Sequence, residues 1–188
     1  MRKVFSLLTL AAFAIPACAA RYSLELKPEN TNLAWTLGDV LHTVHGTFNL
    51  KSGVIDFETD TGAASGRVVI DVTSGDSGSD ARDRKMHANV LESAKYPEAV
   101  FTPDRLEGKL TVPGTSNVKL EGVFLIHGVE HRMTMAVEAK ATEDYVNATI
   151  AFDVPYVAWG MKDPSNFILK VNKIVQFSVH SAGALTKH

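Results

Sequence analysis

One cysteine, Cys18, stands in 188 residues, so no disulfide can staple the fold from within. Nowhere does the chain reach about 18 consecutive apolar residues; the longest apolar stretch, Val4 to Ile15, is too short to span ~30 Å of hydrocarbon as a helix. Basic residues do not cluster, and 19 Lys and Arg against 21 Asp and Glu leave a weakly acidic protein. That balance speaks against a nucleic-acid partner, which calls for a basic face or stripe.

What is present begins with an address. Arg2 and Lys3 precede the apolar stretch, and the small residues Ala17, Cys18, Ala19 and Ala20 follow it, the layout of a cleaved secretory signal over residues 1–20. Losing Arg2 and Lys3 takes the basic side chains from 19 to 17 against 21 acidic ones, a formal charge of −4. The expectation is a soluble periplasmic protein of one domain, residues 21–188, held by burial alone. A minor alternative makes Cys18 the acylated first residue of a lipoprotein, which changes the location and not the fold.

Period-two alternation dominates the rest and predicts strands. Tyr22, Leu24 and Leu26 alternate with polar residues, as do Leu33, Trp35 and Leu37, then Val44, Gly46, Phe48 and Leu50. Val118 to Ile126, Met133 to Val137, Ala148 to Val154 and Val175 to Val179 continue the pattern. Eight to ten such strands with short turns form an antiparallel meander that curls or closes. The spacing of Met86, Val90 and Leu91 predicts one helix over Asp80 to Ala94, capped by Ser79 or Asp80 and ended by Tyr96-Pro97. Pro155 to Asn166 reads as a loop over one mouth, carrying Tyr156 and Trp159. The architecture expected is thus an all-β barrel of about eight strands with one short helix.

About eight strands leave either a packed core or room for one small ligand, and alternation alone does not choose between them. Several segments resemble the YceI family of periplasmic, lipocalin-like proteins. They are Gly46-Thr47-Phe48 leading to Gly53-Val54-Ile55-Asp56-Phe57, the turn Asp76-Ser77-Gly78 with Arg82-Asp83-Arg84-Lys85-Met86, and Tyr96-Pro97-Glu98-Ala99-Val100-Phe101. The most specific runs from Glu121 through His127-Gly128 to His131. The likeness covers Tyr22 to Ser181. It departs at Gly38 to Val44, which is short, and at Pro155 to Pro164, where Trp159-Gly160 replaces an arginine-containing turn.

The resemblance implies an apolar tunnel holding a polyisoprenoid or long-chain fatty lipid, no other cofactor, and no catalytic residues. The lining it implies is Trp35, Leu37, Phe48, Phe101, Phe124, Ile126, Met133, Met135, Phe152, Trp159 and Phe177, with the Trp159 loop or the helix as a gate. Its partners would be the lipid, a second copy of the chain, as in dimeric relatives, and a membrane or membrane protein met transiently. Two other readings stay open: an enzyme or redox accessory working on a lipid or quinone with a membrane partner, and a filled barrel acting through its outer surface.

Other constellations have plainer explanations. Gly75-Asp76-Ser77-Gly78 is similar to a serine-protease nucleophile segment, but the chain is too short for the two-barrel body that a triad of that kind requires. His127 and His131 could face one another across a turn without a third metal ligand, and His127 is expected to bond the turn backbone while His131 and His180 face solvent. Asp76, Asp80 and Asp83 do not follow a calcium-loop order. Asn147-Ala148-Thr149 matches a glycosylation acceptor but sits inside a strand.

Overall fold

The structure is a computed structural model that describes residues 20–38, 42–167 and 170–188. The expected secretory leader with Cys18, and part of the short Gly38 to Val44 segment, lie outside these residues.

Eight strands form a closed antiparallel barrel in chain order. They are β1 (Arg21–Gly38), β2 (Thr43–Glu58), β3 (Ala64–Asp76), β4 (Glu98–Glu107), β5 (Gly114–Ile126), β6 (Val129–Ala141), β7 (Tyr145–Val154) and β8 (Val175–Lys187). β1 pairs with both β2 and β8 and so closes the sheet, leaving no free edge strand. The first two alternating runs of the sequence are one strand: β1 runs through Lys27–Asn30, and its register slips between Leu26 and Thr31 on one side and between Leu26 and Leu33 on the other. A local bulge lets the strand bend without ending.

A helix, α1 (Asp80–Lys85), interrupts the meander between β3 and β4 and continues as a π-helical turn, Met86–Val90. It stops short of the expected Ala94. Glu92 takes φ +46°, and the His87 ring holds the following chain by pairing with the Ser93 hydroxyl at 3.0 Å while its Nε2 donates to the Gly75 carbonyl at 2.9 Å. Ser79 occupies the N-cap position but makes no side-chain cap bond. The entry is fixed by Asp83, whose Oδ1 accepts from the Ser77 amide and hydroxyl, and by Arg82, which donates to the Ser77 hydroxyl and carbonyl at 2.7 and 2.8 Å. Ser77 therefore works as a structural knot.

The two ends of the barrel differ. At the end holding both chain termini of the barrel, Tyr22, Leu24, Phe57, Leu110, Ala139, Ala141, Val146 and Leu185 pack into a buried cluster, with Tyr22 and Phe57 stacked at 5.6 Å. Burying each large apolar side chain contributes about 1.5–3 kcal/mol, so this plug helps hold that end of the barrel closed. At the opposite end the sheet parts twice. β3 and β4 pair only over Val68–Asp71, and β6 and β7 pair only from Ala136 to Ala141. The helix connects the two strands at the first opening, and the Pro155–Met161 turn meets β6 at the second through Trp159 and His131.

Candidate functional site

Between the plug and the parted end lies a cavity of about 680 Å³. Its wall is built by alternation: inward positions of β1, β2, β8, β7 and β5 supply Trp35, Phe48, Phe177, Phe152 and Phe124. These rings touch in sequence. Trp35 meets Phe48 at 6.4 Å, Phe48 meets Phe177 at 6.4 Å, Phe177 stacks on Phe152 at 5.0 Å, and Phe152 meets Phe124 edge-on at 6.5 Å. Each such pair adds about 0.5–1.5 kcal/mol beyond area burial, which makes the girdle a rigid wall.

The girdle needs glycine where rings cross neighbouring strands. Trp35 faces Gly46 across the β1–β2 ladder, and a Cβ there would lie 2.2 Å from its Cζ2. A Cβ on Gly75 would lie 2.5 Å from the Phe48 ring. Trp35 itself is only 5% exposed, and its Nε1 finds no acceptor among the described residues.

Of the residues expected to line a lipid site, Trp35, Leu37, Phe48, Phe124, Ile126, Phe152 and Phe177 face the cavity. Phe101, Met133, Met135 and Trp159 do not. Phe101 and Met135 are buried with Leu120 in the cluster that also holds Phe124, and Met133 packs against the same cluster. The alternation is right for these three, but whether an inward side chain meets the cavity or only its packed neighbours is invisible to periodicity.

Trp159 fills the β6–β7 gap. It stacks on His131 at 4.1 Å with 5° between the planes and reaches Phe124 at 6.2 Å. His131 is therefore half-buried instead of facing solvent, its Nε2 is buried with no partner among the described residues, and burial lowers its pKa below the ordinary histidine value. His127 bonds Glu92 at 2.7 Å and not the turn backbone, and it lies against Tyr96 at 4.4 Å. His180 is exposed, beside Thr149 at 3.2 Å. Among the described residues no three His, Cys, Asp or Glu side chains gather as a metal site.

The rim comes from the helix and the loop after Pro155, the two segments expected at the mouth, but its polar residues were not named from the sequence. From the helix side it receives Arg82, Lys85, Met86, Asn89 and Val90, spaced as one helical face, and from the β7–β8 connection it receives Tyr156, Met161, Lys162, Asp163, Ser165 and Asn166. The Tyr156 hydroxyl donates to the Asn172 carbonyl at 3.0 Å, and burial pushes its pKa up to about 12. The side chain of Ser165, its amide at 2.9 Å and Lys173 at 3.5 Å together hold the Asp163 pKa low. Chemically, this is a blind apolar chamber with a polar collar. Among the described residues no helix is long and apolar enough to cross a membrane.

A family model described as a YceI-like domain matches residues 24–182. Among solved structures, a polyisoprenoid binding domain from Saccharophagus degradans implicated in plant cell wall breakdown has 15% identity and a TM-score of 0.67, covering 88% of this chain and 98% of its own. BcnA of Burkholderia cenocepacia has 16% identity and a TM-score of 0.68, with 84% and 98% covered. The YCEI protein of Campylobacter jejuni has 17% identity and a TM-score of 0.60, with 74% and 83% covered. Comparison with curated protein sequences gave no match.

Proposed function

The chain belongs to the YceI-like family, and from that premise we propose that it is a carrier that encloses the tail of a long-chain isoprenoid or fatty lipid in its barrel. The observation that carries this reading is the aromatic-walled cavity of about 680 Å³, closed at one end by the Tyr22–Phe57 plug and open at the helix end. An apolar cavity of ~150 Å³ holds a benzene ring, so this one has room for on the order of twenty carbons. At about 0.8 kcal/mol per buried CH₂, such a tail gains on the order of 15 kcal/mol before association costs. The polyisoprenoid-binding domain of similar fold supports a tail of this kind.

Enclosure and release make and break no covalent bond, so the residues named here act by shape and burial. We place the carrier in the periplasm, on the strength of the leader over residues 1–20, where a lipid between two membranes needs an apolar enclosure. Phe167, 98% exposed on the β7–β8 connection, is the side chain best placed to meet a membrane surface during loading.

Lipid extraction and mass spectrometry of the protein purified from its periplasm test this reading. The wild type should yield a long-chain species in near-equal amount to protein. Phe152→Asp, which sets a carboxylate in the aromatic wall, should yield almost none, while His127→Ala should keep it. An extract without long-chain species, or equal loss in both variants, would overturn the proposal.

A further inference from the structure

The charged side chains that line the cavity lie at its collar, and the collar is cationic. Arg82 and Lys85 come from the helix and Lys162 from the β7–β8 connection, while the one carboxylate there, Asp163, is matched by Lys173 and the Ser165 amide. The neighbouring helix acids face elsewhere: Asp80 and Asp83 line a separate surface groove with Arg84 and His87, and Asp83 is engaged by Ser77. Arg82 spends two N–H groups on Ser77, which leaves three of its five donors. Lys85 and Lys162 make no hydrogen bond or ion pair among the described residues. This concentration of positive charge stands on a chain whose formal charge is −2.

A neutral headgroup would leave these ammonium groups merely solvated. An anion held between them would gain charge-assisted hydrogen bonds at the edge of a low-dielectric chamber, where such bonds are stronger than in open water. The single chamber fits one tail, with its head between the helix and the connection. Resting on the lipid-carrier reading, we infer that the occupant is an anionic single-tailed amphiphile, with a carboxylate or phosphate head held by Lys85, Lys162 and the free donors of Arg82. The collar thus sets headgroup preference, and the aromatic girdle holds the tail without regard to its head.

Binding of dodecanoate, dodecyl phosphate and dodecanol to the delipidated protein, followed by tryptophan fluorescence in low salt, separates the two roles. Lys85→Gln with Lys162→Gln should weaken dodecanoate or dodecyl phosphate about tenfold, the worth of two partly exposed charge contacts. The ratio of anion to dodecanol affinity should fall with it. Lys109→Gln with Lys140→Gln, outside the collar, should leave that ratio as in the wild type. The larger loss, for dodecanoate or for dodecyl phosphate, identifies carboxylate or phosphate as the preferred head. About 0.5 M NaCl should reproduce most of the effect by screening.

Parallel weakening of dodecanol, or less than about a twofold change for both anions, would overturn the inference. So would a charge effect seen only when lipid is delivered from anionic vesicles, which would assign the collar to the membrane surface. If none of the three ligands binds the wild type, the carrier reading falls, and the headgroup inference falls with it.

Discussion

The imidazole of His131 lies flat against the indole of Trp159, 4.1 Å between centroids and 5° between planes. The contact joins β6 to the turn after β7 at the level where the two strands have stopped pairing. A barrel that parts here would otherwise expose backbone groups and the flank of Phe124 to water. Two stacked rings replace the missing ladder.

Protonation of His131 should loosen that closure, because its buried Nε2 has no acceptor among the described residues and burial already holds its pKa below the ordinary histidine value. The unfolded chain binds the proton more readily than the folded one, so the contribution is intact above about pH 6.5 and is lost as pH falls toward the lower folded value. Thermal melts of the wild type should therefore decline on acidification from pH 7.5 to 5 more than those of His131→Phe, and NMR titration should find the His131 pKa depressed. Identical pH profiles for the two proteins would contradict this assignment.

Removing the other ring tests the closure itself. Trp159→Ala should destabilise the barrel by about 2–4 kcal/mol, less than a fully buried tryptophan costs, since Trp159 is only half-buried. It should also raise amide exchange in Val129–Met135 relative to Ala136–Ala141, which keeps its partners on β7. Uniform exchange along β6 would show that the turn is not what covers the gap.

The barrel was legible because seven alternating segments mark six of its eight strands, β1 carrying two of them, and short turns between them imply an antiparallel meander. β3 and β4 were the obscure strands for separable reasons. Val68, Val69 and Ile70 form an unbroken apolar run: Val68 and Ile70 join the core, while Val69 is buried on the opposite face, so period two is erased. β4 contains Pro103, which reads as a breaker yet is fully buried at a register shift opposite β5. At the site, the inward residues could be named from pattern, whereas which of them meet the cavity, and which polar residues form the collar, could not. Phe101 and Phe124 are partners on the β4–β5 ladder and share one buried cluster, yet only Phe124 lines the cavity, a distinction that alternation does not carry.

Glycine at position 46 should be irreplaceable where glycine at 38 is not. A Cβ at Gly46 would sit 2.2 Å from Trp35 Cζ2 and 2.4 Å from the Asp76 carbonyl, whereas one at Gly38 meets nothing within 4 Å among the described residues. Gly46→Ala must displace the indole or the backbone, at about 1–3 kcal/mol in urea denaturation, and should shift tryptophan emission as Trp35 leaves its place in the wall. Gly38→Ala should change stability by less than about 0.5 kcal/mol. A tolerant Gly46→Ala would mean that Trp35 does not pack over this glycine.

Tyr156 ties the collar to the barrel: its ring faces the cavity, and its hydroxyl donates to Asn172 sixteen residues onward. Burial raises its pKa to about 12, so the folded state keeps a proton that the unfolded chain loses near pH 10. Stability from this group is then complete below about pH 10 and lost as pH rises toward 12. Ultraviolet titration should show one of the four tyrosines ionising only near pH 12, and that late step should vanish in Tyr156→Phe. The same variant should lose about 1 kcal/mol at neutral pH, the net worth of one hydrogen bond, because phenylalanine keeps the packing and drops only the tether. It should also exchange bound lipid faster than the wild type, since the connection bearing Lys162 is then held at one point fewer. A Tyr156→Phe protein with unchanged stability and unchanged exchange would place the anchor of the collar elsewhere in the connection.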